Sequence, residues 1–85
     1  MTTREKLGGT YCYMISDNYK ERFKAEYDQL HIRREALLKV IEGFKAGRLN
    51  FKLSCPIELL ESQADIMLQY ELILLDRADI EGVQL

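Results

Sequence analysis

An all-α helical hairpin that assembles with copies of itself is the fold class this sequence predicts. Three observations predict it. Two long stretches, roughly 18–45 and 56–81, carry apolar residues in alternating steps of three and four, the repeat of a helix with one buried seam. A short segment with turn signals, 46–55, separates them. Finally, Leu72-Ile73-Leu74-Leu75, close behind Ile66-Met67-Leu68 and Tyr70, puts apolar side chains on nearly every face of the second helix. Two helices cannot hide all of those faces, so further copies are expected to cover the remainder.

The expected elements follow in chain order. Residues 1–17 read as an irregular arm: Gly8-Gly9 breaks regular structure, and Thr10-Tyr11-Cys12-Tyr13-Met14-Ile15 is rich in strand formers. A lone strand lacks a partner, so an arm lying on a neighbouring copy is preferred over an edge strand. Asn18 is a suitable N-cap, and Glu21 three residues on completes a capping-box pattern. The first helix then carries Phe23, Tyr27, Leu30, Arg34, Leu37, Ile41 and Phe44 on one seam. Gly47 supplies its stop, giving a helix roughly 42 Å long.

In the connector 46–55, Leu49, Phe51 and Leu53 alternate with polar residues, which suits an extended strand of chain folding over the hairpin end. Pro56 fits the first position of the second helix. Its seam reads Ile57, Leu60, Ala64, Met67, Glu71, Leu74 and Ala78. A second ladder runs beside it through Leu59, Gln63, Ile66, Tyr70, Ile73, Arg77 and Ile80. One ladder can face the first helix, and the other needs another molecule. Leu59, Ile66, Tyr70 and Ile73 are therefore the expected oligomer interface. Gly82 is expected to end the helix, with Val83-Gln84-Leu85 as a short tail.

Composition narrows the function classes. At 85 residues and 47% apolar content the chain has room for one small domain. Net charge is −2, but residues 18–52 hold nine Lys and Arg against five acids, and residues 53–85 hold one Arg against seven acids. That asymmetry favours pairing of the two halves with each other. A nucleic-acid binder is more often basic throughout, so nucleic acid is an unlikely partner. The start Met1-Thr2-Thr3-Arg4-Glu5-Lys6 has no apolar signal region, no stretch is long enough to span a bilayer, and a cytosolic location is expected.

No motif points to catalysis. Cys12 and Cys55 have no metal-ligand spacing, and His31 is the only histidine. Cys55 beside Pro56 sits at a helix start, where a thiol pKa falls, but no base accompanies it. P-loop, dinucleotide and hydrolase signatures are absent. The expectation is a non-enzyme with no catalytic residue, no metal and no cofactor.

Binding is the remaining chemistry. Each seam has one charged residue, Arg34 and Glu71, placed about one turn apart in an antiparallel hairpin. They can pair to fix register, or Arg34 can line a pocket for an anionic ligand. The densest basic patch is His31-Ile32-Arg33-Arg34. Arg33 and Arg34 are the candidate phosphate contacts, Tyr27 or Tyr70 the candidate stacking surface for a base, and Arg48 and Lys52 the candidate rim.

Glu21-Arg22, Glu26 and Leu30 on the first helix, with Leu59-Leu60, Gln63, Met67, Tyr70, Leu74 and Arg77 on the second, carry a family resemblance. Over residues 18–82 the chain resembles short helical-hairpin accessory proteins of tailed bacteriophages and prophages, crAss-like phages among them. The resemblance implies a small, oligomeric phage product acting in the host bacterial cytoplasm. Phage proteins of similar build act as sponges that hold nucleotide immune signals, cyclic oligonucleotides or ADP-ribose derivatives, without cleaving them. By analogy of architecture, the implied function is sequestration of such a signal to counter anti-phage defence. The alternative is an interaction module that binds a host defence protein or assists phage assembly.

Overall fold

A computed structural model describes all residues, 1–85, and contains four helices and no strand. They are α1 (Thr3–Gly8), α2 (Tyr11–Met14), α3 (Tyr19–Lys45) and α4 (Ile57–Glu81). The long pair α3 and α4 pack against each other, and the short pair packs on α3. No helix is long and apolar enough to cross a membrane.

The N-terminal segment departs from expectation in being helical, and it packs on α3 of its own chain. The Thr2 hydroxyl accepts from the Glu5 amide and donates to the Glu5 carboxylate, a short capping motif that starts α1. Thr10 then anchors α2. Its buried hydroxyl donates to the Leu7 carbonyl at 2.7 Å and accepts from Gln29 Nε2 on α3 at 2.8 Å. Six and four residues are too few for helices to stand alone, so contact with α3 supplies what the segment lacks.

Asn18 caps α3 through its side-chain oxygen, which accepts from the Lys20 amide. Glu21 does not reach back to the cap amide as a capping box requires. Ser16 stands between them: its hydroxyl accepts from the Asn18 amide and donates to Glu21. At the other end Gly47 takes φ +68°, the Arg48 amide bonds the Gly43 carbonyl at 2.8 Å, and the Gly47 amide bonds Phe44. This is a Schellman closure. It drops Leu49 onto Gly43, where an added Cβ would sit 3.1 Å from Leu49 Cδ2. In the connector Leu49 and Leu53 are half-buried while Phe51 stays exposed. Pro56 is the N-cap of α4, so the helix starts one residue later than expected, because the ψ of 144° at Pro56 is extended.

On α4 the Ala64, Glu71, Leu74 and Ala78 side of the helix is buried, and the second ladder is turned outward. The core is small: Phe23, Leu74, Ala78 and Val83, with Tyr27 and Leu30 beside it. Val83 is therefore no loose tail. Gly82 at φ +72° reverses the chain, and the Val83 amide bonds the Ala78 carbonyl at 2.8 Å.

Leu74, at 1% exposure, is the most enclosed side chain. Leu74→Ala is expected to lower unfolding free energy by about 3 kcal/mol, read by urea denaturation at fixed protein concentration.

Candidate functional site

Glu71 is an acid on a seam that is otherwise apolar, and packing against α3 leaves it 2% exposed. A carboxylate so placed needs partners. Arg34 donates to it through Nε, and His31 Nδ1 lies 2.6 Å from its other oxygen. His31 and Arg34 are one turn apart on α3 and so reach the same carboxylate. Tyr27, a turn earlier, stacks on His31 with ring centroids 5.9 Å apart and planes 6° from parallel. Tyr27, His31, Arg34 and Glu71 thus make a continuous strip across the middle of the hairpin.

Tyr70 lies next to this strip in sequence, and its hydroxyl donates to Glu26. That hydrogen bond raises the Tyr70 pKa above its ordinary value, with desolvation adding to it. Arg34 spends its Nε on Glu71, and its Nη2 lies 3.9 Å from the Glu35 carboxylate.

The other candidates lie elsewhere. Arg33 is exposed, and one residue's rotation of about 100° turns it away from Arg34. Arg48 pairs with Glu42 at 3.4 Å near the connector, and Lys52 is exposed within the connector. The end of α3 lies roughly 16 Å along the axis from Arg34. A single chain therefore brings Tyr27 and Arg34 together, with Tyr70 beside Glu71, but not Arg33, Arg48 or Lys52.

Sequence reasoning missed two groupings. It places His31 only in a basic patch with Arg33 and Arg34, although i, i+3 spacing to Arg34 is the available signal for a shared partner. It also missed a cluster at the hairpin base. There Tyr19 donates to Glu81 at 2.7 Å, while Arg77 donates to Tyr19 at 2.8 Å and to Glu81 at 3.1 Å. The Arg77 guanidinium lies 4.8 Å from the Phe23 ring centre.

Two hollows are open to solvent. One, about 350 Å³, lies between Tyr13, Lys20, Lys24 and the C-terminal turn at Gly82. Its cations are engaged, Lys20 with the Gly82 carbonyl and Lys24 with Asp28. The other, about 300 Å³, is apolar and lies on α4 between Leu59, Ser62, Gln63, Ile66 and Met67. No three His, Cys, Asp or Glu side chains converge as a metal site would require.

With both long helices and the strip between them in place, the family becomes recognisable. The Sequestin family model matches residues 17–80, from the α3 cap to the last turn of α4. The chain belongs to the Sequestin family. Comparison with curated proteins and with solved structures finds no match. The matched region contains Tyr27, His31, Arg34 and Glu71, and begins after α1 and α2.

At the base, hydrogen bonding to Glu81 raises the Tyr19 pKa, and hydrogen bonds from Tyr19 and then Arg77 lower that of Glu81. A raised tyrosine stabilises the fold below its unfolded pKa and loses that contribution as pH climbs through the folded value. A lowered carboxylate contributes above its unfolded pKa and is lost as pH falls. Glu81→Gln is expected to bring the Tyr19 titration down, read by NMR of the tyrosine ring carbons through the alkaline range. No movement would show that Glu81 does not govern Tyr19.

Proposed function

We propose that this protein sequesters an anionic, nucleotide-type small molecule without transforming it. Membership of the Sequestin family over both long helices is the observation that carries this reading, since the family name denotes sequestration. The strip across the hairpin supports it chemically. Tyr27 and His31 offer a half-exposed pair of parallel rings, and Arg34, whose Nη2 lies 3.9 Å from the half-exposed Glu35, stands beside them as the cation a phosphate would take over. The tyrosines Tyr27 and Tyr70 would take a base, and Arg34 a phosphate.

A single chain does not gather the other cations, so a complete site draws Arg33, Arg48 or Lys52 from further copies. A ligand enclosed between copies is held by many donors at little cost in area per chain. The ligand class is a host immune signal, a cyclic oligonucleotide or an ADP-ribose derivative, and the setting is a phage product in the host bacterial cytoplasm. The resemblance to phage hairpin proteins supports that setting.

A second reading keeps one specific observation in its favour. The exposed apolar ladder of α4 suits docking on a host protein, either to inhibit defence or to assist assembly.

The test is native mass spectrometry of the protein purified from bacteria whose nucleotide-signalling defence has been triggered. The expected result is a complex carrying extra mass in the nucleotide range, released intact on denaturation. Arg33→Ala, at an exposed position, is expected to weaken affinity for the released molecule by 10-fold or more, as loss of a charged phosphate contact does. Protein that arrives empty would overturn the reading, and protein bound to a host polypeptide would favour the second.

A further inference from the structure

A single carboxylate oxygen stands between the outer nitrogens of the central strip. Oε1 of Glu35 lies 3.9 Å from His31 Nε2 and also 3.9 Å from Arg34 Nη2. Neither contact is a hydrogen bond at that length. The Glu35 side chain is 50% exposed, so only a weak and screened attraction holds it there. The two cationic side chains, by contrast, are fixed from beneath. Buried Glu71 takes Arg34 Nε and lies 2.6 Å from His31 Nδ1. Each side chain thus has one nitrogen engaged with the inner acid and another facing the place that Glu35 loosely fills.

The two outer nitrogens differ in kind. Arginine is always a donor, whereas imidazole offers a second donor only when it is protonated. Glu71 decides which side loses its proton first. A neutral ring keeps its one proton on Nδ1, because a lone pair there would meet a carboxylate at 2.6 Å. Its Nε2 then turns a lone pair outward, which repels an anionic oxygen. An imidazolium presents N–H on both sides. The charged and titratable groups that face the ring are Tyr27, Arg34 and Glu35 on α3 and Glu71 on α4.

We infer that His31 Nε2 and Arg34 Nη2 form a two-pronged subsite for one non-bridging phosphate oxygen, with Glu35 as its internal occupant and protonation of His31 as its switch. The incoming oxygen takes the place of Glu35 Oε1, and the Glu35 side chain swings into solvent. Glu35 also sets a threshold, since a ligand must offer more than a lone carboxylate to displace it. A phosphodiester or pyrophosphate whose base also stacks meets that demand, and a simple carboxylic acid does not. The inference rests on the proposed sequestration of an anionic ligand at the strip, and gives Arg34 a titratable partner and a built-in competitor.

His31 is the only histidine, so its ring gives one set of NMR signals in the full 85-residue chain. Sulfate is the probe: it is tetrahedral like phosphate and keeps its charge while imidazole titrates, between about pH 5 and pH 8. At constant ionic strength, sulfate is expected to move the His31 signals saturably. Its affinity is expected to fall about 10-fold from the acid to the alkaline end of that range, the loss of one charged hydrogen bond. Glu35→Gln, at an exposed position, is expected to tighten sulfate about 3-fold by removing the competitor. His31→Gln keeps an amide donor for Glu71 without a titrating ring, and is expected to flatten the pH profile read at the Arg34 and Tyr27 signals. Helical circular dichroism confirms that both variants are folded. Signals that sulfate leaves in place at every pH overturn the inference. So does an affinity that Glu35→Gln does not change, or a pH dependence that survives His31→Gln. Sulfate that binds as expected, yet is displaced neither by ADP-ribose nor by a panel of cyclic oligonucleotides, leaves the subsite standing and overturns the ligand reading.

Discussion

A buried carboxylate organises this molecule. Glu71 is enclosed between two helices that meet mostly through apolar contacts, and from α3 Arg34 neutralises it while His31 lies within hydrogen-bond distance. Sliding α3 by one turn would strand a charge in an apolar seam, a cost of several kcal/mol. The apolar contacts are far less particular, because a ladder of Leu, Ile and Ala repeats along its own length. The polar break therefore selects one register from several that apolar packing alone would accept. Its role matches the use of a single polar residue to set register in coiled coils.

That register decides what the rest of the chain presents. With Glu71 turned inward, Ala64 and Ala78 are buried on the same side and Leu74 reaches Phe23. Leu59, Ile66, Ile73 and Ile80 are then necessarily turned out. The same clamp places His31 under Tyr27 in a parallel stack. One ion-paired acid thus links the packing of the hairpin, the Tyr27–His31 stack, and the apolar stripe on the far side of α4.

The long helices were legible because their signals are local and periodic. Asn18, Gly47 and Gly82 mark their ends through backbone chemistry that needs no tertiary partner, and the seam spacing separates Leu60 and Ala64 from Leu59 and Ile66. The N-terminal segment was not legible in that way. Thr10-Tyr11-Cys12-Tyr13-Met14 has strand-like composition, yet contact of Thr10 and Met14 with Gln29 holds it helical. The partnership of Arg34 with Glu71 could be read from the seams, whereas the approach of His31 depended on side-chain direction. Arg33 and Arg34 are neighbours in sequence but not on the helix surface, which is why the basic patch does not form a single contact surface. The Tyr19–Arg77–Glu81 cluster joins opposite ends of the chain, and no local pattern announces it.

The small core and the large outward apolar area follow from the same division of labour. Only ten residues are buried, so the isolated hairpin has limited means to hold itself together. The proposed sequestration accords with that arrangement, in which copies would come together and hold the ligand between them. The account depends on the Arg34–Glu71 pair acting as a clamp and not as an incidental contact. A double-mutant cycle on Arg34→Ala and Glu71→Ala, measured by urea unfolding at one protein concentration, tests this most directly. Each single change is predicted to cost about 3 kcal/mol and the double change little more, leaving a coupling of about 2 kcal/mol. Losses that simply add would contradict the clamp.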